Sequence, residues 1–381
     1  MNILITDGNY KHSLGILRNI GEYIGKSYVL SNRKFSISGL SKYCKKEIVV
    51  PEYDDNLFLE ELIKNIKKYK INLIILVGTN SFKYIVPHKN KIEKAGAKFI
   101  SVDNKKLNQV FSKKETYEIA NKLNIPYPKS FYPIKMDDIY DISKKITYPC
   151  VIKGLYEVGG NIVRYVYNKE ELISEYKSVC SYYSLNEDNG LPLIQEYIEG
   201  YGCAFFAVYD NGKCGITFQH KRIREMPPSG GVSVCAESYK NNLVEQYGKI
   251  ILDYLEWHGV AMVEFKMTEK GIPVLMEINP KFWGSLDLAL EAGVNFPLEL
   301  IKIFKGKMIG KENNFYKYPL RYHWPLDGDI IHMFLNPKAS LNILKDIINP
   351  NVKSNIWLTD ILPIIPMFIY MVGRIIKGIL R

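Results

Sequence analysis

The sequence predicts an α/β domain over residues 1–108 and an α+β domain over residues 109–305, and two observations support this division. In the first third, continuous apolar runs such as 71–77 alternate with amphipathic segments, which is typical of a parallel sheet covered on both faces. Between residues 149 and 265, short strand-like segments predominate and helices only interrupt them. We therefore expect an N-terminal Rossmann-like domain followed by a separate α+β domain.

The N-terminal domain begins with a short apolar run over residues 2–6, which ends at Asp7-Gly8 and predicts a first strand. Apolar residues at helical spacing over 14–24 and 57–69 predict two helices. No G-x-G-x-x-G sequence follows the first strand, so the sequence does not indicate dinucleotide binding. The first residues also lack a basic region and a cleavage site, so we do not expect a signal peptide.

The second domain begins near residue 110, where Ser112 and Glu115 have the spacing of a capping box. The helix that follows is expected to end before Pro126. Two further helices are expected at 169–180 and 243–257. Apolar segments predict strands at 150–153, 162–167, 193–197, 204–209, 216–220 and 260–265.

Composition limits the class of protein. The chain has 381 residues, of which 47% are hydrophobic and 24% charged, which excludes a disordered or collagen-like chain and a polytopic membrane protein. The formal net charge of +11 suits an anionic partner such as a nucleotide or an anionic lipid. Nucleic acid is not expected, because no nucleic-acid-binding motif accompanies the charge. Six cysteines without a C-x-x-C pair indicate reduced thiols and the cytoplasm.

The C-terminal part divides into an extension over residues 306–355 and an apolar tail over 356–381. Asp360 and two prolines interrupt the tail, so it is poorly suited to span a membrane. From residue 367 onward its only charges are basic, and their spacing places them on one helical face. Two interpretations stay open: an interfacial helix on the inner membrane surface, or a terminal helix packed on its own protein.

A predicted hairpin over residues 259–279 carries the strongest local signal. If Lys270-Gly271 forms the centre of its turn, Glu264 lies opposite Glu277, and Asn279 projects from the same face as Glu277. Two carboxylates and an amide that converge among apolar neighbours favour a hard divalent cation such as Mg²⁺. Met262 and Leu275 are expected on the face of the acids. The alternative is a solvated hairpin that carries two glutamates on its outer face.

Two lysines are placed where they could bind phosphate. Lys153 ends a predicted strand, and the loop after it contains Gly159 and Gly160, so backbone N–H groups could approach a phosphate chain there. An ordinary hairpin would give the same pattern. Lys113 lies in the first turn of its helix, where a cation opposes the helix dipole, although this signal is small.

Two further segments have the composition of a ligand site. The segment 195–200 is the end of a strand followed by an acidic link, which could meet an adenine and a ribose or be an ordinary surface turn. The segment 220–233 places three cations beside a Pro- and Gly-rich loop, which suits an anion under a mobile cover or a solvated charged strand. In the extension, Tyr322, His323 and Trp324 could line an acceptor pocket or pack in the core.

Taken together, these segments closely resemble the ATP-grasp superfamily. The matching segments are SKKETYEIANKLNIPYP, YPCVIKGLYEVGG, LIQEYIEGYG, FQHKRIREMPPSGGVS, GVAMVEFK and VLMEINPKFWGSLDLALEAGVNFP. They look most like the branch of predicted ATP-dependent carboxylate–amine ligases, which is related to the carbamoyl-phosphate synthase large subunit. The resemblance covers residues 108–305 and implies a two-lobed ATP-grasp fold, with a nucleotide lobe over about 125–198 and a pre-ATP-grasp domain before it.

The resemblance also implies roles for individual residues. Phosphate binding is implied for Lys113, Lys153, Gly159 and Gly160. Adenine or ribose contacts are implied for Gln195, Glu196, Tyr197, Ile198 and Glu199. Metal ligands are implied at Glu264, Glu277 and Asn279, and catalytic contacts at Arg222, Asn279 and Lys281. The chain departs from the family pattern twice, with Tyr201-Gly202 where relatives have an acid and with Lys281 where relatives have arginine.

The function implied is ATP-dependent ligation of a carboxylate to an amine through an acyl phosphate, with release of ADP and phosphate. ATP and Mg²⁺, or Mn²⁺, are the implied cofactors, and a small carboxylate and an amine are the implied substrates. Two alternatives stay open. One is a carbamoyl-phosphate-synthase-like enzyme that only phosphorylates a small carboxylate, and the other is a non-catalytic ATP-binding sensor.

Overall fold

The computed structural model describes residues 1–156, 162–228, 230–307 and 315–379, with side chains up to residue 376. The N-terminal part contains a four-stranded parallel sheet in the order β3-β2-β1-β4, as its alternating pattern predicts. Its strands are β1 (Ile3–Ile5), β2 (Ser27–Ser31), β3 (Cys44–Val49) and β4 (Leu73–Ile75). Its helices are α1 (Lys11–Tyr23), α2 (Phe58–Tyr69), α3 (Thr79–Ile85), α4 (Lys89–Lys94) and α5 (Asn104–Phe111).

A second sheet, which we call the small sheet, follows α6 (Lys113–Lys122). Ser112 caps this helix as predicted, since its Oγ accepts a hydrogen bond of 3.3 Å from the backbone N of Glu115. The sheet is antiparallel, four-stranded and ordered β5-β8-β6-β7. Its elements are β5 (Ser130–Phe131), α7 (Asp138–Ile142), β6 (Cys150–Lys153), β7 (Val163–Val166), α8 (Lys169–Tyr182) and β8 (Leu193–Glu196).

The largest sheet has seven strands in the order β13-β12-β9-β10-β11-β14-β15. Its strands are β9 (Tyr201–Asp210), β10 (Lys213–Met226), β11 (Val232–Ser238), β12 (Gly259–Met267), β13 (Pro273–Asn279), β14 (Arg321–His323) and β15 (Lys353–Ser354). The helices in this part are α9 (Asn242–Tyr254), α10 (Leu286–Glu291) and α11 (Phe296–Phe304). The sequence did not predict β11, nor that the extension adds β14 and β15 to this sheet.

The C-terminal extension and tail contribute α12 (Asp329–Leu335), α13 (Ser340–Ile348) and α14 (Ile364–Ile379). A buried ion network fixes α12 and α13 to β10. Arg224 lies 2.7 Å from Asp329 and 2.6 Å from Asp346, and all three side chains are buried. Within the described ranges, no helix is long and apolar enough to cross a bilayer.

Two hydrophobic cores run from the N-terminal sheet into the seven-stranded sheet. In one of them Leu107 and Phe111 share a cluster with Phe205, and in the other Ile16 and Leu17 share a cluster with Leu288. The small sheet has a separate core, formed between its strands and α7 and α8. The small lobe is therefore packed as its own unit, while the N-terminal and large sheets form one continuous body.

Candidate active site

A cavity of about 1230 Å³ lies between the small sheet and the seven-stranded sheet. The small sheet contributes Lys153 and Gln195, and the large sheet contributes Arg222 and Glu264. Other residues lining it that the sequence singled out are Lys113, Glu196, Tyr197, Ile198, Glu277, Asn279 and Lys281. Residues predicted from separate segments of the chain therefore meet at one site.

Glu264 and Glu277 are direct cross-strand partners on β12 and β13, as the hairpin predicted. The assumed turn was wrong, however. Near the turn Phe265 faces Leu275, so the turn is centred on Lys270 and not between Lys270 and Gly271. A bulge at Met276 then shifts the pairing by one residue, so that Glu264 faces Glu277 as predicted. The bulge also places Leu275 with Phe265 in the core behind the sheet, so the prediction that it shares the face of the acids was wrong.

Arg222 on β10 holds Glu264 in place. Its Nη2 lies 2.5 Å from Glu264 Oε2, and its Nη1 donates to Glu225 Oε1 at 2.8 Å and to the Gly231 carbonyl at 2.9 Å. Although burial opposes its charge, the carboxylates of Glu264 and Glu225 raise the pKa of Arg222. The guanidinium thus stays charged beside the carboxylate pair.

The two carboxylates have different proton affinities. Burial raises the pKa of Glu264 to about 7, and the charge of Glu277 adds to this rise. Burial acts on Glu277 in the same direction, but the charge of Lys113 and the hydrogen bond from Asn279 outweigh it and lower the pKa of Glu277. Two facing carboxylates of this kind repel each other, so a bound cation would stabilise both in the charged form.

The donor set at this position fits a divalent cation that prefers oxygen ligands. Asn279 Nδ2 donates to Glu277 Oε1 at 2.7 Å, which leaves the amide oxygen as a third oxygen ligand beside the two carboxylates. Among the described residues there is no group of three or more His, Cys, Asp or Glu side chains that could enclose a metal. Water and ligand oxygens would therefore complete the coordination, as is usual for Mg²⁺.

A chain of hydrogen bonds links Lys153 to the large sheet. Lys153 Nζ donates to Gln195 Oε1 at 2.7 Å, and Gln195 Nε2 donates to Tyr117 Oη at 3.0 Å. Tyr117 in turn donates to the Met276 carbonyl at 2.9 Å. Gln195 is fully buried, so its side chain positions Lys153. That Gln195 also meets adenine remains a prediction.

Lys153 is a cation in an unfavourable environment. Burial lowers the pKa of its ammonium group to about 8, and the nearby charge of Lys113 contributes to this fall. Burial also lowers the pKa of Lys281, which the charge of Glu277 partly opposes. Lys281 makes no ion pair with any described residue. An anionic ligand would stabilise the charged form of both lysines and so raise the pKa of each.

The segment after β8 forms one wall of the cavity. The backbone N of Lys129 donates to Glu196 Oε1 at 2.7 Å, and the Tyr197 ring lies edge-on to Tyr165 at 5.8 Å. Lys266 on β12 places its Nζ 4.7 Å from the centre of the Tyr197 ring. Glu199 is exposed and lies outside the cavity lining. Gly159 and Gly160 lie outside the described residues.

Several residues of the site received no role from the sequence. Glu225 and Tyr117 lie within two of the matching segments, but only the fold brings them to Arg222 and Gln195. His12 on α1 has buried ring nitrogens without a partner among the described residues, and burial together with the charge of Lys281 lowers its pKa well below the usual value. A lone histidine gives no signal in a sequence that would place it near Lys281.

The extension also reaches the cavity, but through other residues than those predicted. Tyr322, His323 and Trp324 are buried and pack in the core. The cavity is lined instead by residues on β14, α12, α13 and the turn between the two helices, namely Arg321, His332, Asn336, Asn342 and Lys345. These residues form a polar wall that the extension adds to the cavity.

Comparison with known proteins agrees with this geometry. Residues 192–324 match a family model described as ATP-grasp in the biosynthetic pathway with Ter operon. The carbamoyl phosphate synthase large chain of Pyrococcus furiosus is 25% identical over 312 residues, which is 77% of this chain and 28% of that protein. The chain thus spans about a quarter of the length of the curated relatives that it matches.

Solved structures share the fold. The biotin carboxylase domain of Hydrogenobacter thermophilus 2-oxoglutarate carboxylase, solved with MgADP and bicarbonate, aligns over 84% of this chain and 73% of its own with a TM-score of 0.70 and 16% identity. The L-amino acid ligase of Bacillus licheniformis aligns over 80% of this chain and 74% of its own, with a TM-score of 0.62 and 12% identity.

Residues 192–324 thus match an ATP-grasp family model, and the chain shares the fold of the biotin carboxylase domain. In sequence, two thirds or more of the chain is similar to one part of the carbamoyl phosphate synthase large chain.

Proposed function

We propose that the protein is an ATP-dependent carboxylate–amine ligase that forms an amide through an acyl phosphate and releases ADP and phosphate. The observation that carries this proposal is the facing pair Glu264 and Glu277, joined by Asn279, in the cavity that Lys153 enters from the opposite lobe. A metal–nucleotide complex needs anionic ligands on one side and cations on the other, and the two lobes supply these separately.

The small lobe is proposed to bind the nucleotide. Lys153 and Lys113 would contact the phosphates, since both line the cavity. Glu196, Tyr197 and Ile198 would surround the adenine at the junction of the lobes. Gln195 would act mainly by orienting Lys153. Glu199 is the ribose contact proposed from the sequence, and its exposed position would require the ribose to lie at the rim of the cavity.

The facing carboxylates are proposed to bind Mg²⁺ or Mn²⁺, with Glu264, Glu277 and Asn279 as ligands. When bound, the ion would neutralise phosphate charge during phosphoryl transfer. Arg222 now pairs with Glu264 and Glu225, so it can redirect one of its nitrogens to a phosphoryl oxygen without leaving its place. The bound ion would then replace Arg222 as the positive partner of the Glu264 carboxylate.

The acceptor carboxylate is proposed to bind at Lys281. This lysine is a half-buried cation without an ion-pair partner among the described residues, so a substrate carboxylate would provide a counter-charge. A carboxylate reacts poorly with amines because its leaving group would be oxide, and phosphorylation provides a better one. The acyl phosphate must be kept from water, which the separately packed small lobe could do by closing. No disulfide joins any of the described cysteines, which fits a reducing cytoplasm as the place of action.

The likeness to carbamoyl phosphate synthase favours a second candidate, an enzyme that stops at the phosphorylated carboxylate. Hydroxylamine separates the two, since it traps an acyl phosphate as a hydroxamate. With ATP, Mg²⁺ and a mixed pool of amino acids, the ligase hypothesis predicts ADP, phosphate and a new amide. ADP with hydroxamate but no amide would favour the second candidate. AMP with pyrophosphate would contradict both, and ATP binding without turnover would indicate a sensor.

A further inference from the structure

An exposed apolar stripe runs along α14. Ile365, Phe368, Ile369 and Ile376 have between 51% and 65% of their surface exposed. Their spacing of three, four and eleven residues from Ile365 places them on one side of the helix. Isolated exposed apolar residues are ordinary, but a continuous stripe of large side chains on one helix usually marks a contact surface.

The opposite side of α14 is packed on the protein. Met367 and Met371 are buried in a cluster that includes Leu14, Ile37 and Leu326. The helix is therefore fixed to the N-terminal part of the chain, and the exposed stripe is held outward by this packing.

A buried ion pair also fixes the chain just before the helix. Arg18 Nε lies 2.9 Å from Asp360 Oδ2, and Ser41 Oγ donates to the same carboxylate at 2.8 Å. Ile361 and Leu362, which lie between Asp360 and the helix, are exposed. Leu358, two residues before Asp360, is more exposed than either. We call the exposed side chains of Leu358, Ile361, Leu362, Ile365, Phe368, Ile369 and Ile376 the tail surface.

The charges in the sequence of the tail after Asp360 are basic. The sequence contains no Asp or Glu after Asp360, and the only charged residues of the tail beyond it are Arg374, Lys377 and Arg381. The Arg374 guanidinium stacks 5.9 Å from the centre of the Tyr370 ring. An apolar surface whose own segment of the sequence carries only cations complements an anionic lipid headgroup layer above a hydrocarbon interior.

A loop beside the tail has the same character. Phe35 is 70% exposed with a left-handed backbone (φ 61°), and the exposed residues Arg33 and Lys34 precede it. Ile37, two residues later, belongs to the same buried cluster as Met367. This loop thus adds a second exposed aromatic side chain to the part of the molecule that carries the tail surface. Two cations precede it, and the carboxylate of Glu47 accepts hydrogen bonds from the backbone N of Phe35 and of Ser36.

We propose that the tail surface binds the face of an anionic lipid bilayer, with α14 lying in the plane of the interface. The helix has 16 residues and is about 24 Å long, and its packed methionine side keeps it attached to the protein. It would therefore lie on the bilayer rather than cross it, which agrees with the lack of a spanning helix among the described residues. One side of α14 is packed on the protein, as one interpretation of the tail predicted, and the interfacial interpretation is proposed here for the other side.

Vesicle sedimentation tests this proposal with the full chain. Vesicles of phosphatidylcholine alone are compared with vesicles that contain about 30% phosphatidylglycerol, at about 0.1 M salt. The unmodified chain should sediment with the anionic vesicles only, and about 0.5 M salt should weaken its binding. The triple variant Ile365→Ser, Ile369→Ser, Ile376→Ser should bind at least about tenfold more weakly. Arg374→Gln should bind about fivefold more weakly.

A matched control changes three exposed isoleucines elsewhere, Ile134→Ser, Ile250→Ser and Ile272→Ser, and should bind vesicles like the unmodified chain. Retained nucleotide binding shows that each variant is folded. Equal binding by the tail variant and the unmodified chain would overturn the proposal, as would no binding to anionic vesicles. A dimer in the absence of vesicles that the tail variant abolishes would also overturn it, because a second copy would then cover the surface.

Discussion

Arg222 Nη2 lies 2.5 Å from Glu264 Oε2, so the residue proposed to contact a phosphoryl group is held by a residue proposed to bind the metal. The guanidinium also binds Glu225 and the Gly231 carbonyl, which fixes its position when Glu264 turns to a cation. If the proposed roles hold, metal binding and phosphate binding would be coupled, because a cation at Glu264 would free a donor of Arg222. Such coupling would account for an arginine and a carboxylate pair on one wall of the cavity.

Glu277→Gln should lower Mg²⁺-dependent ATP turnover by about 100-fold or more, because it removes a charged ligand from the proposed metal site. The variant should remain folded, since it relieves repulsion between two facing carboxylates. Steady-state release of ADP measures the effect. Glu269→Gln, an exposed change in the turn of the same hairpin, is the matched control and should keep full activity. Full activity of Glu277→Gln would refute the metal assignment.

Affinity for ATP should fall as the pH rises through 8. Burial lowers the pKa of Lys153 to about 8, so the side chain loses its proton above this pH and can no longer pair with a phosphate. The dissociation constant should increase by up to about tenfold between pH 8 and pH 9, as isothermal titration would show. Lys153→Arg stays charged at both values, so it should remove the dependence. An equal affinity of the unmodified chain at pH 7 and pH 9 would contradict the role of Lys153.

Tyr117→Phe should lower the free energy of unfolding by about 1–3 kcal/mol, because it removes the hydroxyl that accepts from Gln195 Nε2 and donates to the Met276 carbonyl. Gln195 Nε2 would keep its second hydrogen bond, to Ser130 Oγ. Urea denaturation measures this loss. Tyr127→Phe is a close control, since the Tyr127 ring stacks on Tyr117 but its hydroxyl donates to Asn121 at an exposed position. Its effect should stay within about 0.5 kcal/mol. Equal losses in the two variants would show that the buried chain of hydrogen bonds adds nothing.

Asp360→Asn should destabilise the chain by about 3–5 kcal/mol, since it leaves the buried Arg18 without its counter-charge. Although burial opposes it, the hydrogen bond from Arg18 lowers the pKa of Asp360 below the usual value. The carboxylate therefore contributes stability above the pKa of an unfolded aspartate, about 3.9, and this contribution is lost as the pH falls further. Thermal unfolding between pH 6 and pH 3 should show a weaker pH dependence in the variant. An unchanged dependence would mean that Asp360 is not the group responsible.

The sequence pattern predicted structural features that depend on residues close together in the chain. The alternation of side chains and the position of the turn sufficed to pair Glu264 with Glu277, and the cap at Ser112 follows from residues three apart. The bulge at Met276 did not follow, because an extra residue in one strand changes no composition signal. It moved Leu275 to the other face while leaving the acids paired.

Features that depend on distant segments could not be predicted in the same way. Tyr117 and Gln195 are 78 residues apart, and only the meeting of two sheets joins them. The strands β14 and β15 have three and two residues, too few to show a period, and their partners lie elsewhere in the chain. The polar wall from the extension could not be predicted for this reason. The aromatic residues Tyr322 and Trp324 of the extension are buried in the core.

Binding of Mn²⁺ in the presence of ADP, followed by electron paramagnetic resonance, shows whether Glu264 and Glu277 hold a metal–nucleotide complex. The unmodified chain should bind the ion with ADP, and the double variant Glu264→Gln, Glu277→Gln should lose this binding while it still binds ADP alone, because Lys153 and Gln195 are untouched. Mn²⁺ binding of equal affinity in the double variant would contradict the account.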